Sequence, residues 1–185
     1  MKRFIYDSLL RWKDQKDRKP LIIEGIRQCG KTWILRNFGE SEFKDIAYFN
    51  FEYDDRVQKI FEGDFDVVRI IKELSILRNK SIQPGSSILI FDEIQICPRA
   101  ITSLKYFCEN LPTLHVAAAG SLLGVALARM GRQISFPVGK VEMLRMYPLN
   151  FPEFLLAKEE ELLFEYLHNL SVHEKISDAF TGTLE

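Results

Sequence analysis

The sequence is poor in the features that define several common protein classes. Its 185 residues include three cysteines, Cys29, Cys97 and Cys108, with no CxxC pair among them. Such a set provides neither a disulfide framework nor the spacing of a zinc site, and it fits a reducing compartment. No apolar run reaches the ~20 residues of a membrane helix, and we find no signal peptide at the start. We therefore expect a cytoplasmic protein that does not enter a membrane.

The chain also lacks an excess of charge of either sign. It has 25 Lys and Arg against 26 Asp and Glu, a formal net charge of -1. Bulk charge therefore points to neither nucleic acid nor a membrane surface, and nucleic-acid binding stays open. What the chain does have is 46% hydrophobic residues, enough for the core of one domain of ordinary size.

Short apolar runs alternate with stretches of helical periodicity along most of the chain. Strands are predicted at residues 21–25, 45–53, 88–93, 114–121 and 140–149. Helices are predicted at residues 4–13, 31–39, 54–79 with a break at 62–65, 100–111 and 150–170, and residues 122–131 form a helix or a loop. This alternation predicts an α/β fold, a mostly parallel sheet with helices on both faces.

We divide the chain into a core at residues 1–150 and a C-terminal helical segment at residues 151–185. Asn150 is expected to cap the first helix of that segment, with Glu153 completing a capping box. In parallel α/β sheets, ligands bind at the carboxyl ends of the strands. The motifs described next all lie at such ends.

A glycine-rich octapeptide, GIRQCGKT at residues 25–32, fits G-x-x-x-x-G-K-[ST] at every fixed position. It follows a predicted strand and opens a predicted helix, as this phosphate-binding motif requires. The glycines let backbone N–H groups point at a phosphate, and the helix directs its positive end there. A dinucleotide-type GxGxxG is excluded, because Arg27 replaces its second glycine. The predicted nucleotide contacts are Gly25, Ile26, Arg27, Gln28, Cys29, Gly30, Lys31, Thr32 and Trp33.

More specific roles or locations are predicted for three of these side chains. Lys31 is predicted to reach the β and γ phosphates as part of catalysis, and the Thr32 hydroxyl is predicted to bind Mg²⁺. Trp33 packs either near the nucleotide base or in the core. A plain glycine turn is the alternative interpretation of the octapeptide.

The run ILIFDE at residues 88–93 ends in two acids at the rim of the sheet. Asp92 is predicted to bind Mg²⁺ through water, and Glu93 to orient or deprotonate the attacking water. Ser121 ends the strand at 114–121, and it either contacts the γ-phosphate or that water, or caps a helix. An acid directly after the metal ligand favours hydrolysis over a small-molecule kinase.

Five blocks of the sequence together resemble a prokaryotic family of AAA-type P-loop ATPases. The blocks are RKPLIIEGIRQCGKTWILRNFG, YFNFE, ILIFDEIQ, AAGSLLGVAL and FPVGKVEMLRMYPLNFPEFL, spanning roughly residues 3–175 in the family's order. The resemblance implies a three-layer α/β/α P-loop fold with sheet order 5-1-4-3-2 and adenine rather than guanine nucleotides. It also implies nucleotide binding by Gly25, Gly30, Lys31 and Thr32, water-mediated metal binding by Asp92, catalysis by Glu93 and a polar sensor at Ser121.

The resemblance further implies a companion domain of unknown function after the core. Residues 177–185, SDAFTGTLE, do not resemble its continuation, so we expect that domain to be truncated or absent. AAA-type hydrolysis usually needs an arginine finger, often from a neighbouring subunit. A homo-oligomer or a partner protein is therefore expected. The candidate basic residues are Arg129, Arg132 and Arg145, with Lys140 where relatives often have a basic residue.

The sequence therefore predicts a Mg²⁺-dependent ATPase that is coupled to an unknown partner. The alternative is a nucleotide-gated binding module, which holds ATP with negligible turnover and switches its partner contacts. Both hypotheses use the same motifs. Replacing Glu93 with glutamine should trap ATP and abolish turnover in the first case, and change little in the second.

Overall fold

The structure is a computed structural model, which describes residues 3–121 and 136–171 of the chain. It contains two compact units, Ile5–Pro148 and Met1–Phe4 together with Leu149–Glu185. The division into residues 1–150 and 151–185 stays a prediction of the sequence. In the two described ranges, no helix combines the length and the apolar character needed to cross a bilayer.

A five-stranded sheet forms the centre of the larger unit. Its strands are β1 (Leu21–Gly25), β2 (Asp45–Asn50), β3 (Ser87–Asp92), β4 (His115–Ser121) and β5 (Glu142–Arg145). They lie in the order β2-β3-β4-β1-β5, and every described pairing is parallel. Strands β3 and β4 are buried along their whole length, as central strands of a parallel sheet are. The predicted three-layer α/β/α fold with order 5-1-4-3-2 is confirmed.

Helices cover both faces of this sheet. They are α1 (Ile5–Asp14), α2 (Lys31–Glu42), α3 (Asp55–Ile60), α4 (Val67–Leu77) and α5 (Pro98–Asn110), and a 3₁₀ turn, Ile94–Ile96, precedes α5. Because successive strand residues point to opposite faces, Leu89 and Ile90 of β3 belong to two different clusters of buried side chains. Leu89 shares its cluster with Leu104 of α5, and Ile90 shares the other with Phe38 of α2.

Several predicted boundaries in this unit are wrong. The fifth strand, predicted at residues 140–149, is only Glu142–Arg145. The second strand ends at Asn50 rather than at residue 53, because the Asn50 Oδ1 atom accepts the Glu52 N–H at 2.7 Å and turns the chain. Helix α2 continues through Gly39 to Glu42 instead of ending at the glycine. A Cβ atom at Gly39 would lie 2.9 Å from Cγ1 of Ile46. This glycine therefore allows close packing of helix and sheet and does not end the helix.

The described part of the smaller unit contains two helices, α6 (Phe151–Ala157) and α7 (Glu161–Asn169). The single helix predicted over residues 150–170 is wrong, because Glu159 has a left-handed backbone with φ of 63°. The capping box of Asn150 and Glu153 is present as predicted. The Glu153 carboxylate also accepts hydrogen bonds from Arg3 Nε at 3.1 Å and Phe4 N at 2.8 Å.

Candidate nucleotide-binding site

The loop between β1 and α2 is a compact turn at the carboxyl edge of the sheet. Gln28 and Gly30 both have left-handed backbones, with φ of 64° and 96°. Gly30 stands directly before α2, and its carbonyl accepts the first helical hydrogen bond, from Ile34 N at 2.9 Å. The N–H groups of the first helical turn have no partner within the helix, so this conformation is compatible with the predicted binding of a phosphate.

The first glycine of the motif meets a different requirement from the second. Gly25 pairs in register with Ser121 of β4, and the chain beyond β5 passes close to its other side. A Cβ atom on Gly25 would lie 2.3 Å from the carbonyl oxygen of Met146, a separation that real Cβ atoms do not show. Glycine is therefore needed at position 25 for close approach of two backbones, and at position 30 for its positive φ.

The Lys31 ammonium lies inside the loop. Lys31 is only 6% exposed, and its Nζ donates to the carbonyl oxygens of Ile26 at 2.7 Å and Gly25 at 3.0 Å. The Cys29 sulfur lies 3.9 Å from the same nitrogen. Backbone carbonyls thus solvate a charge that burial would otherwise disfavour. This location is compatible with the predicted contact between Lys31 and a phosphate held by the loop.

Thr32 and Asp92 lie far apart in the sequence and meet at the edge of the sheet. The Thr32 hydroxyl donates to Asp92 Oδ2 at 2.8 Å, and Asp92 is 3% exposed. A hydroxyl and a carboxylate are oxygen ligands of the kind that Mg²⁺ prefers, with nucleotide oxygens and water completing its coordination. The residues present therefore fit the predicted magnesium site.

Two side chains of β2 also reach Asp92, and the sequence analysis gives neither of them a role. The Tyr48 hydroxyl donates to Asp92 Oδ2 at 2.6 Å, and Asn50 Nδ2 lies 3.5 Å from the same oxygen. Burial and the bond to Asp92 raise the pKa of Tyr48 to about 12, so its hydroxyl keeps its proton. Their period-two spacing places both on one face of β2, but the register that brings them to Asp92 is not specified by the sequence.

Glu93 follows β3 with a left-handed backbone, φ 50° and ψ 41°, which is uncommon for a residue other than glycine. Its Oε2 atom accepts a hydrogen bond from the Gln95 amide and another from the Ser121 hydroxyl at 3.3 Å. The structure thus brings Glu93 and Ser121 together, as the expected adjacency of their strands suggests. Gln95 is a third member of this group that the sequence analysis does not single out.

A cleft of about 480 Å³ opens along the loop. It is lined by Arg27, Gln28, Gly30, Lys31, Thr32, Trp33, Glu52, Tyr53 and Glu93. Trp33 is 40% exposed there, so its alternative placement in the core is wrong. Of the other predicted contacts, Cys29 is buried and Ile26 is exposed. Glu52 and Tyr53 lie just beyond β2, where no motif marks them.

Two of the four basic residues considered for an arginine finger lie in the described part of the chain. Arg145 donates to the Glu24 carboxylate on the neighbouring strand, with Nε 2.8 Å from Oε1. Lys140 Nζ lies 3.0 Å from Oε1 of Glu109. Arg129 and Arg132 lie outside the described residues, as does the segment 122–131. The arginine finger therefore stays a prediction.

The sheet order, the loop after its first strand and the Thr32–Asp92 pair together define the class of P-loop nucleotide-binding proteins. Within that class the chain belongs to the AAA domain family, whose model matches residues 17–155. The resemblance to AAA-type P-loop ATPases is therefore confirmed, and the companion domain and the residue roles that it implies stay predictions. Membership of this family of P-loop ATPases suggests that the chain binds a nucleotide.

Solved structures match the chain at low sequence identity. The chain matches the Walker-type ATPase PABY2304 of Pyrococcus abyssi with a TM-score of 0.50 and 17% identity, over 85% of this chain and 57% of that one. It matches the Aeropyrum pernix Orc1 protein, solved in complex with DNA, with a TM-score of 0.47 and 17% identity, over 85% and 47%. It matches Caenorhabditis elegans PCH-2 with a TM-score of 0.41 and 13% identity, over 96% and 49%.

Only the first of these similarities is close enough to support the fold. The chain spans 57% of the length of that ATPase and smaller shares of the other two proteins. No curated protein matches the chain.

Proposed function

We propose that the protein binds ATP with Mg²⁺ in the cleft and hydrolyses it to ADP and phosphate. The observation that carries this proposal is the meeting of Thr32 and Asp92, with Glu93 as the next residue and a wall of the same cleft. The hydroxyl of Thr32 and the carboxylate of Asp92 are suited to bind a metal ion, and Glu93, which directly follows Asp92, has a carboxylate suited to orient a water molecule. The proposal further includes a coupled partner, either a second copy of the chain or another protein.

The loop and Lys31 would bind the triphosphate. Loop amides and the first turn of α2 offer N–H groups to phosphate oxygens, and the buried ammonium supplies a positive charge among them. The ammonium now donates to the carbonyls of Gly25 and Ile26. A phosphate oxygen in the loop would give it a charged acceptor, and such hydrogen bonds are stronger than neutral ones.

Thr32 and Asp92 would hold the metal ion, Thr32 directly and Asp92 through water. The chemistry that Mg²⁺ would supply there is neutralisation of the negative charge that develops on the phosphates in the transition state. The Tyr48 hydroxyl and the backbone N–H of Glu93, at 2.6 Å and 3.1 Å, orient the Asp92 carboxylate for this task.

Glu93 would act on the attacking water. It lines the cleft, and a carboxylate within hydrogen-bond reach of a water can orient that water and accept its proton. The Ser121 hydroxyl lies 3.3 Å from the Glu93 carboxylate. The proposed sensor and the proposed base are therefore direct neighbours. The adenine preference and a cytoplasmic location rest on the family and on the cysteine content, and they belong to the proposal.

The experiment compares wild type with Lys31→Ala and Glu93→Gln for nucleotide binding and for phosphate release. Binding is followed by the fluorescence of Trp33, which lines the cleft, while Trp12 is 2% exposed and provides a constant background. A Trp33→Phe variant assigns the signal. We expect wild type to release phosphate with Mg²⁺, Lys31→Ala to lose binding, and Glu93→Gln to bind ATP with turnover reduced at least about 100-fold.

Two results would contradict this proposal in different ways. Binding of ATP by wild type and Glu93→Gln, with negligible turnover by both, would favour the nucleotide-gated module. Absence of ATP binding by wild type would reject the site itself.

Turnover per chain is measured over a range of protein concentrations, and a rise with concentration would indicate that neighbouring copies complete the site.

A further inference from the structure

Gln95, which no motif marks, contacts the Glu93 carboxylate directly. The Gln95 amide nitrogen donates to Glu93 Oε2. The Ser121 hydroxyl lies 3.3 Å from the same oxygen and 3.4 Å from the Gln95 amide nitrogen, near the limit of hydrogen-bond reach. Both residues therefore contact the Glu93 carboxylate, and Gln95 is the one to which the proposed function gives no role.

The orientation of the Gln95 amide follows from its neighbours. The amide group has one acceptor and two donors, and only the nitrogen can face the acceptor oxygens of a carboxylate. The amide oxygen is buried and has no hydrogen-bond partner among the residues that the structure describes. The side chain thus keeps its donor on Glu93 although its own acceptor is left unsatisfied.

The backbone of Glu93 determines where this contact forms. In a strand the side chains of residues two apart stand side by side on one face, with their Cα atoms roughly 6–7 Å apart. The left-handed conformation of Glu93 ends β3 and turns the chain into the 3₁₀ turn Ile94–Ile96. The turn brings the Gln95 amide back against the carboxylate. The uncommon backbone and the hydrogen bond therefore belong to one local arrangement.

We propose that Gln95 is a positioning residue for hydrolysis, which acts by holding the Glu93 carboxylate where it can receive a water proton. This inference rests on the proposed function, because it requires Glu93 to be the base. Gln95 does not line the cleft, so its effect passes through Glu93. Its loss should reduce kcat and leave the affinity for ATP unchanged.

The test compares Gln95→Leu, which keeps the approximate size and removes the amide, with wild type. Gln95→Glu is the second variant, which keeps the shape and replaces the donor with an acceptor. We expect both to lower kcat at least about tenfold, because misplacing a catalytic group by about 1 Å can have such an effect. The Kd for ATP, read from Trp33 fluorescence, should change less than about twofold.

A matched control removes a comparable amide elsewhere. Gln58 is also half-buried, and its Nε2 donates to the carbonyl of Phe51 at 2.9 Å. Gln58→Leu should leave kcat unchanged. The double variant Gln95→Leu with Glu93→Gln should have the same residual kcat as Glu93→Gln alone within about twofold, because residues that act through one group are not additive.

The possible outcomes separate this inference from the proposed function. An active wild type with a Gln95→Leu variant of similar kcat overturns the inference alone. A further tenfold loss in the Glu93→Gln background also overturns it, because Gln95 would then act on something other than Glu93. Absence of turnover by wild type under all conditions overturns the proposed function, and the inference with it.

Discussion

Two aspartates lie at opposite ends of the neighbouring strands β2 and β3, and they differ in what surrounds them. Asp45 begins β2, and its carboxylate binds Arg78 through both oxygens, at 2.8 and 2.9 Å, and also Lys80. Asp92 ends β3, and among the described residues its hydrogen-bond donors are uncharged: the hydroxyls of Thr32 and Tyr48, the Asn50 amide at the limit of reach, and a backbone N–H.

The comparison separates a carboxylate that serves the fold from one suited to an external cation. The Arg78 guanidinium, together with Lys80, holds the pKa of Asp45 well below its usual range. Asp45 is thus compensated by the chain itself. A buried carboxylate surrounded by neutral donors keeps its negative charge available, because hydroxyls and amides orient it without neutralising it. The surroundings of Asp92 are therefore compatible with the proposed metal site.

The largest expected effect comes from removing the charge of Asp92. Asp92→Asn keeps an oxygen that can accept from Thr32 and Tyr48, and it removes the attraction to Mg²⁺. We expect turnover to fall at least about 100-fold, equivalent to about 2.7 kcal/mol in the barrier. The free energy of unfolding should fall by only about 1 kcal/mol, because the new amide nitrogen faces the Glu93 N–H that now donates to Asp92 Oδ1. Phosphate release and urea denaturation of the same preparation measure the two quantities.

Asp45→Asn is the converse substitution, and we expect the opposite division of effects. It removes the charge that Arg78 and Lys80 bind, and hydrogen bonds to charged groups contribute about 1.5–3 kcal/mol each. Because Lys80 is 61% exposed and can return to water, we expect the free energy of unfolding to fall by about 2 kcal/mol. Turnover and ATP affinity should not change at temperatures where the variant is folded. Loss of turnover by folded Asp45→Asn would end the distinction between the two aspartates.

Tyr48→Phe tests whether the neutral donors around Asp92 support metal binding, because it removes one of them. A net hydrogen bond contributes about 1 kcal/mol, so we expect the Mg²⁺ concentration for half-maximal turnover to rise about fivefold. The matched control is Tyr6→Phe, whose hydroxyl donates to Glu42 at 3.2 Å in another part of the fold. An equal effect of both substitutions would show that Tyr48 has no special relation to the metal site.

The smallest expected effect is the pH dependence of the Asp45 contribution. The pKa of Asp45 is lowered in the folded state, and the unfolded value is about 3.9. Its stabilising contribution is therefore complete above about pH 4 and declines as the pH falls through the folded pKa. The difference in unfolding free energy between wild type and Asp45→Asn should be constant from pH 5 to 8 and shrink below pH 4. A constant difference down to pH 2 would argue against this charge pairing.

Much of the fold and the motif part of the site could be predicted, because these features are local in the sequence. Apolar runs identified all five strands, and the spacing of Gly25, Gly30, Lys31 and Thr32 identified the loop. The break between α6 and α7 has no such signal, since the segment AKEEE contains neither proline nor glycine and consists of good helix formers.

The supporting residues of the site could not be predicted, because their roles depend on geometry between elements. Tyr48 reaches Asp92 only through the parallel register of β2 with β3, in which Asn50 pairs with Asp92. Gln95 reaches Glu93 through the turn after β3, which begins at a left-handed residue that propensity rules do not anticipate in glutamate. Tyr48 lies in the block YFNFE and Gln95 in the block ILIFDEIQ. Neither block specifies which residue its side chains contact in the folded protein.

The closeness of Gly25 to the main chain at Met146 limits how the protein can change over generations. The obstacle is a carbonyl oxygen, and every amino acid at position 146 would carry it. No replacement of that side chain can therefore restore a Gly25→Ala mutant, and a screen for second-site revertants should recover changes in backbone path, such as insertions or deletions near the end of β5. The loop therefore depends on the path of the main chain directly after β5.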